Sequence, residues 1–208
     1  MTLTKREFSY FEDELTLRSY EAAFPIISSN LFDPLTNRNL EGILSSLVVE
    51  KGNTKVGFIS IIDEEVIAEY LLKRVSIFEP QQIIQQQILA LKQQGAELVV
   101  LVYSKERDYY QALISENQID FALRIVSEPE EYQSNNVYSI ASQKPFMLLH
   151  ISWQTNSQKK NLTIEAPKVH YSYLPKNPTT SLLVDEYNQR LNRLLNQKIG
   201  VFETEYLE

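Results

Sequence analysis

Hydrophobic and polar positions fall into alternating stretches along the middle of the chain. Residues 97–103 read ELVVLVY, a continuous apolar run typical of a strand buried on both faces, and residues 118–126 form a second such run. The polar residues at 106–116 between them have helical spacing. This pattern predicts two parallel strands whose carboxyl ends meet at one edge of a sheet, where α/β proteins place their sites.

The residues before this unit extend the same pattern. Apolar runs at 44–50 and 55–62 flank the turn sequence KGNT at 51–54, which predicts a β-hairpin. Because helices alternate with buried strands from here to residue 126, we expect mainly parallel pairing with right-handed crossovers. Other predicted elements are a helix at 11–23, a strand at 25–28, an acidic helix at 63–73 and a helix that begins at Pro80.

The C-terminal part of the chain has a different pattern of apolar residues. Short apolar runs with hairpin-length connections predict antiparallel strands, at 137–141, 144–153, 161–166 and 169–174. A long helix follows at 180–198, with Leu183, Tyr187, Leu191 and Leu194 along one face. The chain is therefore predicted to be α/β, with a mixed sheet, flanking helices and C-terminal antiparallel strands at 1–175 and a linker-like helix and tail at 176–208.

Composition and charge exclude several classes of protein. The 208 residues carry a net charge of −7 with a pI near 5.0, and the charges are interspersed, which is unlike a nucleic-acid-binding surface. No stretch of about 20 apolar residues is present to span a bilayer, and residues 1–14 do not read as a signal peptide. Because cysteine is absent, disulfides, thiolate metal sites and cysteine nucleophiles are excluded.

The sequence offers few groups suited to catalysis. Its two histidines, His150 and His170, each fall in a predicted strand and are interpreted as structural side chains. No HExxH motif, glycine-rich phosphate loop or nucleophile elbow is present. Neighbouring carboxylates are interpreted as solvated charges rather than acid/base pairs: Glu64 with Glu65, Glu130 with Glu131, and Asp185 with Glu186.

Several stretches follow one another in the order found in one protein family. MTLTKREFSY at 1–10 is similar to MTLGNHEFDYG, FPIISSN at 24–30 to FPVLSAN, and NTKVGFISI at 53–61 to GVKIGVIGL. Residues 79–102 follow DPIEAAQ…LKxxGADVVVAL, and IDF at 119–121 begins like IDVIIGGHSH. The chain thus resembles the 5′-nucleotidase family of calcineurin-like metallophosphoesterases. The resemblance implies a partial metallophosphoesterase-like sandwich, with the last helix similar to the linker that precedes the family's substrate domain.

The positions matching the family's two-metal site carry different residues here. Lys5 and Arg6 stand where the family has the Asn and His of GNHE, and Ser104 stands where THLG supplies a His. Val126 and Glu128 stand where GGHSH supplies two more. Hydroxyl, aliphatic and cationic groups do not form a two-metal clamp, and cations repel divalent ions. The resemblance therefore implies a degenerate site, for which we expect no metal and no cofactor.

Cationic residues are the second feature of these positions. Four of them are predicted to form an anion-binding or ion-paired group, the ion-paired form being favoured: Lys5, Arg6, Lys105 and Arg124. In that form, acids such as Glu7 and Glu128 take the place of the metals.

Two hypotheses about function follow from the resemblance. The first is a non-catalytic metallophosphoesterase-like domain that serves as a scaffold, interaction or assembly module. The second is a metal-dependent phosphoesterase or nucleotidase acting through a partner chain or an altered site. A third possibility, independent of the resemblance, is an unrelated α/β binding domain.

The resemblance also bears on partners and compartment. Because the family's N-terminal strands have no counterpart here, we expect an unpaired sheet edge, and hence self-association or a protein partner. The family is commonly exported, which implies the periplasm or cell envelope, although the sequence itself does not fix the compartment.

Overall fold

The computed structural model describes residues 1–9, 11–126, 133–134, 136–141, 150–156, 159–165 and 177–205. These residues belong to two compact units, Met1–Pro167 and Lys168–Glu208. The division predicted at residues 175 and 176 stays a prediction, because residues 166–176 are outside the described part of the chain.

The described helices and strands include the elements predicted from the sequence up to residue 126, in the predicted order, together with short elements that were not predicted. A short 3-10 helix at Lys5–Phe8 precedes the α-helices α1 (Phe11–Glu21), α2 (Glu65–Glu69), α3 (Pro80–Gln93), α4 (Asp108–Ser115) and α5 (Pro178–Glu205). The strands of the first half are β1 (Ile26–Ile27), β2 (Leu31–Asp33), β3 (Arg38–Asn39), β4 (Ile43–Leu44), β5 (Leu47–Lys51), β6 (Thr54–Ser60) and β7 (Ser76–Ile77). The later strands are β8 (Leu98–Tyr103), β9 (Phe121–Val126), β10 (Gln133–Ser134), β11 (Val137–Ala141), β12 (His150–Asn156) and β13 (Lys159–Glu165).

A six-stranded mixed sheet forms the centre of the first unit. Its order is β10-β11-β9-β8-β6-β5, and the predicted parallel pairing of β6 with β8 and of β8 with β9 is confirmed. β5 and β6 form the predicted antiparallel hairpin. Along the described part of β5, Glu50 and Lys51 are exposed at the edge of the sheet, which discourages pairing with another strand.

The prediction for β11 needs a correction. The run at 137–141 was expected in an antiparallel region, but β11 pairs in parallel with β9, with Val137 opposite Ala122. Spacing between apolar runs does not reveal strand direction when the connection is long enough to return the chain to the start of its neighbour. Of the strands predicted beyond residue 141, β12 and β13 do form an antiparallel pair, and 169–174 lies outside the described residues.

One face of the central sheet is covered by α3 and α4. Ile84, Ile88 and Leu91 of α3 and Leu113 of α4 join the sheet residues in a single buried core. A Cβ atom at Gly57 would lie 2.9 Å from both Cδ atoms of Leu91, so the bare glycine backbone lets α3 approach the sheet closely. Gly95 follows α3 with a φ of 84°, a left-handed conformation that glycine adopts readily at the end of a helix.

The opposite face of the sheet is covered by the hairpin of β12 and β13. Val100, Val102 and Phe121 are buried there, and the hairpin's Ile151, Leu162 and Ile164 pack against them. Sheet on sheet, with helices on the outer face, is a sandwich. The predicted fold class, a partial sandwich with a mixed sheet and flanking helices, is confirmed.

The N-terminal segments form a third core beside the sheet. It contains Leu3, Phe8, Leu31, Val66 and Val75 among its buried side chains. α2 is shorter than the predicted helix at 63–73, because the chain leaves the helix at Leu71, which has a φ of 53°. The turn after Leu71 directs Leu72 and Val75 into this core.

Asn30 joins this third core to the sheet. Its side chain is fully buried and donates to the carbonyl oxygens of Ile62 (2.8 Å) and Phe78 (3.1 Å). Its Oδ1 accepts from the backbone N–H of Ile62 at 2.9 Å. Ser29 acts in the same way on β6, since its Oγ accepts from the N–H of Ser60 at 3.0 Å. Side chains thus replace the backbone partners that a neighbouring strand would supply.

Replacing Asn30 with alanine should destabilise the chain strongly. Asn30→Ala leaves two carbonyl groups and one N–H without these buried partners, so we expect a loss of about 3 kcal/mol in the free energy of unfolding. Urea unfolding followed by circular dichroism measures this loss. Asn39→Ala is the matched control: Asn39 donates to the Ser28 carbonyl at 3.0 Å from a partly buried position, and we expect about 1 kcal/mol. Equal losses in the two variants would contradict the role given to Asn30.

Candidate functional site

Polar side chains gather where β6 and β8 end. Ser60 lies opposite Val102 in parallel register, and Ile61 donates to the Val102 carbonyl at 2.9 Å, so the two chains leave the sheet side by side. Ser104 then donates from Oγ to Oδ2 of Asp63 at 2.7 Å. We call six residues at this edge the carboxyl-end cluster: Asp63, Glu64, Glu65, Ser104, Lys105 and Arg107.

The cations of the carboxyl-end cluster are paired with acids. Lys105 pairs with Glu65, and Arg107 pairs with Glu64 and lies 3.8 Å from Glu79. The Arg107 side chain is only 17% exposed, whereas Lys105 is 42% exposed. The hydrogen bond and the charge of Glu65 raise the pKa of Lys105, despite some desolvation. Both cations of the cluster are therefore paired with acids, and the acids outnumber them.

Asp63 is the half-buried carboxyl group of the cluster. Burial raises the pKa of Asp63 above its ordinary value of 3.8, and the charge of Glu64 adds to this effect. The hydrogen bond from Ser104 and the cations Lys105 and Arg107 act in the opposite direction but do not cancel it. Asp63 is thus a carboxyl group that holds its proton more tightly than one in water.

Three tyrosines form an aromatic wall behind the cluster. The rings of Tyr103 and Tyr110 are 4.7 Å apart, and those of Tyr109 and Tyr110 are 4.9 Å apart with an edge-on arrangement. Tyr103 donates to Glu106 at 2.6 Å. Burial and the nearby charge of Glu79 raise the pKa of Tyr109 to about 12, so its hydroxyl is protonated at neutral pH and acts as a donor to Glu79.

The predicted site residues near α2 are held by its acids. Lys5 pairs with Glu69 at 3.0 Å and Lys105 with Glu65, so both cations bind the same short helix, one turn apart. Glu7, expected as a partner of the cations, instead accepts from the N–H (2.6 Å) and the hydroxyl (2.8 Å) of Thr4. It caps the 3-10 helix, as the TxxE spacing permits.

The remaining predicted site residues lie on different sides of the sheet. Arg6 lines a groove of about 440 Å³ over the face that carries Phe58 and Val102. Ala122 of β9 belongs to the opposite face, the one that packs against α3 and α4. Because side chains alternate along a strand, Arg124 and Val126 are on that same face. The four predicted cations are therefore not brought together as one group. Glu128 and His170 lie outside the described residues, and His150 is the first residue of β12.

The described side chains at this edge do not fit the two-metal site of the family that the chain resembles. Such a site needs several neutral imidazoles and carboxylates around each ion. In the described parts of the chain, no group of three or more histidines, cysteines or acids is placed to hold a metal ion. The Asp63 carboxyl group is hydrogen-bonded to Ser104, and the neighbouring cations oppose a divalent ion.

Sequence reasoning did not single out Asp63 or Arg107. Asp63 was included in the predicted acidic helix and Arg107 in the polar helix after β8. A positional signal was available for Asp63, because it directly follows the apolar run at 55–62 and so falls at the carboxyl end of a buried strand. For Arg107 no comparable signal exists, since its partners Glu64 and Glu79 are distant in sequence.

Comparison with solved structures places this fold among phosphoesterases. The chain is similar to the calcineurin-like phosphoesterase YfkN from Bacillus subtilis, with a TM-score of 0.69, 14% identity, and coverage of 91% of this chain and 69% of that one. It is similar to a 5′-nucleotidase precursor from Thermus thermophilus, with a TM-score of 0.68, 15% identity, and coverage of 94% and 43%. For the sulfate thiohydrolase SoxB, also from Thermus thermophilus, the TM-score is 0.69, with 16% identity and coverage of 89% and 35%.

These likenesses identify the class of fold. The chain has the fold of calcineurin-like phosphoesterases and 5′-nucleotidases, which confirms the resemblance predicted from the sequence at the level of architecture. It spans less than half the length of the nucleotidase precursor and of SoxB. No family model and no curated protein matches the sequence.

The described helices do not include a membrane span. None of the helices in this part of the chain combines the length and the apolar character needed to cross a bilayer. This agrees with the sequence-based expectation.

Removing the charge of Asp63 should stabilise the chain at neutral pH. Because the pKa of Asp63 is raised by folding, the unfolded chain loses this proton first as the pH rises, and stability falls between about 3.8 and the folded pKa. Asp63→Asn keeps an acceptor for Ser104 without this cost. We expect no difference from wild type at pH 3 and a gain of less than about 1 kcal/mol at pH 7, small because the group is partly solvated. Thermal unfolding at both pH values measures it.

Asp33→Asn is the matched control, because folding shifts the pKa of Asp33 in the opposite direction from that of Asp63. The N–H of Leu35 and the hydroxyl of Thr36 lower the pKa of Asp33, so its contribution to stability is present at neutral pH and is lost as the pH falls through the folded pKa. This variant should lose stability at pH 7 and less at pH 3. A loss of stability in Asp63→Asn at pH 7 would contradict the account of the Asp63 carboxyl group.

Proposed function

We propose that this chain is a non-catalytic metallophosphoesterase-like domain, similar to the 5′-nucleotidase domain, that serves as a scaffold or assembly module. The observation that carries the proposal is the pairing within the carboxyl-end cluster. Lys105 and Arg107 pair with Glu65 and Glu64 at the sheet edge where the family places its metals. Ser104 donates a hydrogen bond to the Asp63 carboxyl group. Acids engaged in this way are not positioned to hold the metal ions that would activate water.

The packed cores support the same proposal. Gly57 lets α3 approach the sheet closely, and Asn30 joins the N-terminal core to it. The fold is therefore maintained by interactions that are independent of a metal. A domain that keeps its packing without the groups for hydrolysis is suited to binding and assembly.

One observation favours the alternative, a metal-dependent phosphoesterase that acts through a partner chain or an altered site. Asp63 is a carboxyl group with a raised pKa at the carboxyl end of a parallel strand, which is a common position for an acid or a ligand. In that case, Asp63 would be the residue on which activity depends.

Metal content and hydrolysis distinguish the two proposals. The full chain is incubated with Mn²⁺ or Zn²⁺, dialysed and assayed for bound metal, and then for hydrolysis of p-nitrophenyl phosphate and adenosine 5′-monophosphate. For a non-catalytic domain we expect far less than one metal per chain and rates equal to those of Asp63→Asn. Stoichiometric metal together with turnover that Asp63→Asn reduces by about 100-fold or more would overturn the proposal and support the alternative.

A further inference from the structure

The second unit contains a long helix with an uncovered apolar stripe. Five side chains of α5 are 41% to 66% exposed although all are large and apolar: Leu183, Val184, Tyr187, Leu191 and Leu194. At about 100° per residue they fall within an arc of about 100° along one side of the helix. A stripe of this width matches the face that a helix buries against one partner helix.

The charges beside the stripe have an uneven distribution. Glu186, Arg190 and Arg193 all lie along one flank, at about 300°, 340° and 280° when Leu183 is set to 0°. The opposite side carries the neutral Asn188 and Ser181, with the single acid Asp185 further from the stripe at about 200°. Only the first flank therefore carries charges of both signs beside the stripe.

The uneven distribution of charge indicates that the partner of α5 is a second copy of the same helix, in antiparallel orientation. In an antiparallel pair of identical helices, each flank meets the same flank of the other copy, whereas in a parallel pair it meets the opposite flank. A pair of α5 helices centred on Gln189 places Glu186 of one copy beside Arg193 of the other, and the reverse. A parallel pair would leave the charged flank facing neutral residues.

The apolar stripe has the same centre. An antiparallel pair centred on Gln189 also sets Leu183 against Leu194 and Tyr187 against Leu191, each within about one residue of register. Apolar and charged contacts thus agree on one arrangement. We propose that α5 is a self-association helix through which two copies of this chain form an antiparallel dimer.

The proposal supplies a partner for the assembly role and rests on that part of the proposed function. It does not depend on the absence of catalysis, because α5 contributes no residue to the carboxyl-end cluster. If the chain proves monomeric, the proposal that the domain is non-catalytic is unaffected. If catalysis is detected, the proposal of a dimer is unaffected. The stripe spans only about three turns, so we expect a dimer that dissociates on dilution.

Sedimentation equilibrium of the full chain, from about 5 µM to about 0.5 mM, tests the dimer. The wild type should pass from monomer to dimer over this range. Glu186→Lys and Arg193→Glu should each weaken the dimer about fivefold or more, because each sets like charges together twice in the pair. The double variant Glu186→Lys/Arg193→Glu should restore wild-type affinity, since it exchanges the two charges.

Two leucines provide a matched control for the stripe. Leu182 and Leu183 are 65% and 61% exposed, but only Leu183 lies on the stripe. Leu183→Ser should weaken the dimer and Leu182→Ser should leave it unchanged, with equal helix content in both by circular dichroism. A wild-type chain that stays monomeric at about 0.5 mM, which is the result if another part of the chain or a different protein covers the stripe, overturns the proposal. Equal effects of the two leucines, or no restoration in the double variant, overturn it as well.

Discussion

The buried amide of Asn30 is the constraint on which the candidate site depends. Without a side chain that can both donate and accept, the carbonyl groups of Ile62 and Phe78 and the N–H of Ile62 would lie in an apolar interior without these partners. Ile62 is the residue before Asp63, so the same amide fixes where the chain leaves β6. The position of Asp63 relative to Ser104, and with it the start of the carboxyl-end cluster, follows from this attachment.

Desolvation and charge pairing then decide the chemistry of the edge. A half-buried carboxyl group beside two acids would be costly if no cations were near, and Lys105 and Arg107 supply that compensation. The same cations pair with Glu65 and Glu64, acids that could otherwise serve as ligands to a divalent ion. One set of charges thus offsets the burial of Asp63 and engages the neighbouring acids.

Much of the fold could be predicted from the sequence, because its signals are local. The apolar runs of β6 and β8, the helical repeat after Pro80 and the turn at Gly52 each depend on neighbouring residues. The direction of β11 could not be predicted, since it depends on where a connection returns the chain. The ion pairs could not be predicted either, because Lys5 and Glu69, or Arg107 and Glu79, become neighbours only through the folded topology.

Paramagnetic broadening by Mn²⁺ tests the central claim, that the carboxyl-end cluster is closed by its own ion pairs and does not take a divalent metal. Amide signals of the isotopically labelled full chain are followed as Mn²⁺ is added up to one equivalent. We expect the amides of Asp63 and Ser104 to broaden no more than that of the exposed Asp13. Selective, saturable broadening of Asp63 and Ser104 at one Mn²⁺ per chain would contradict it.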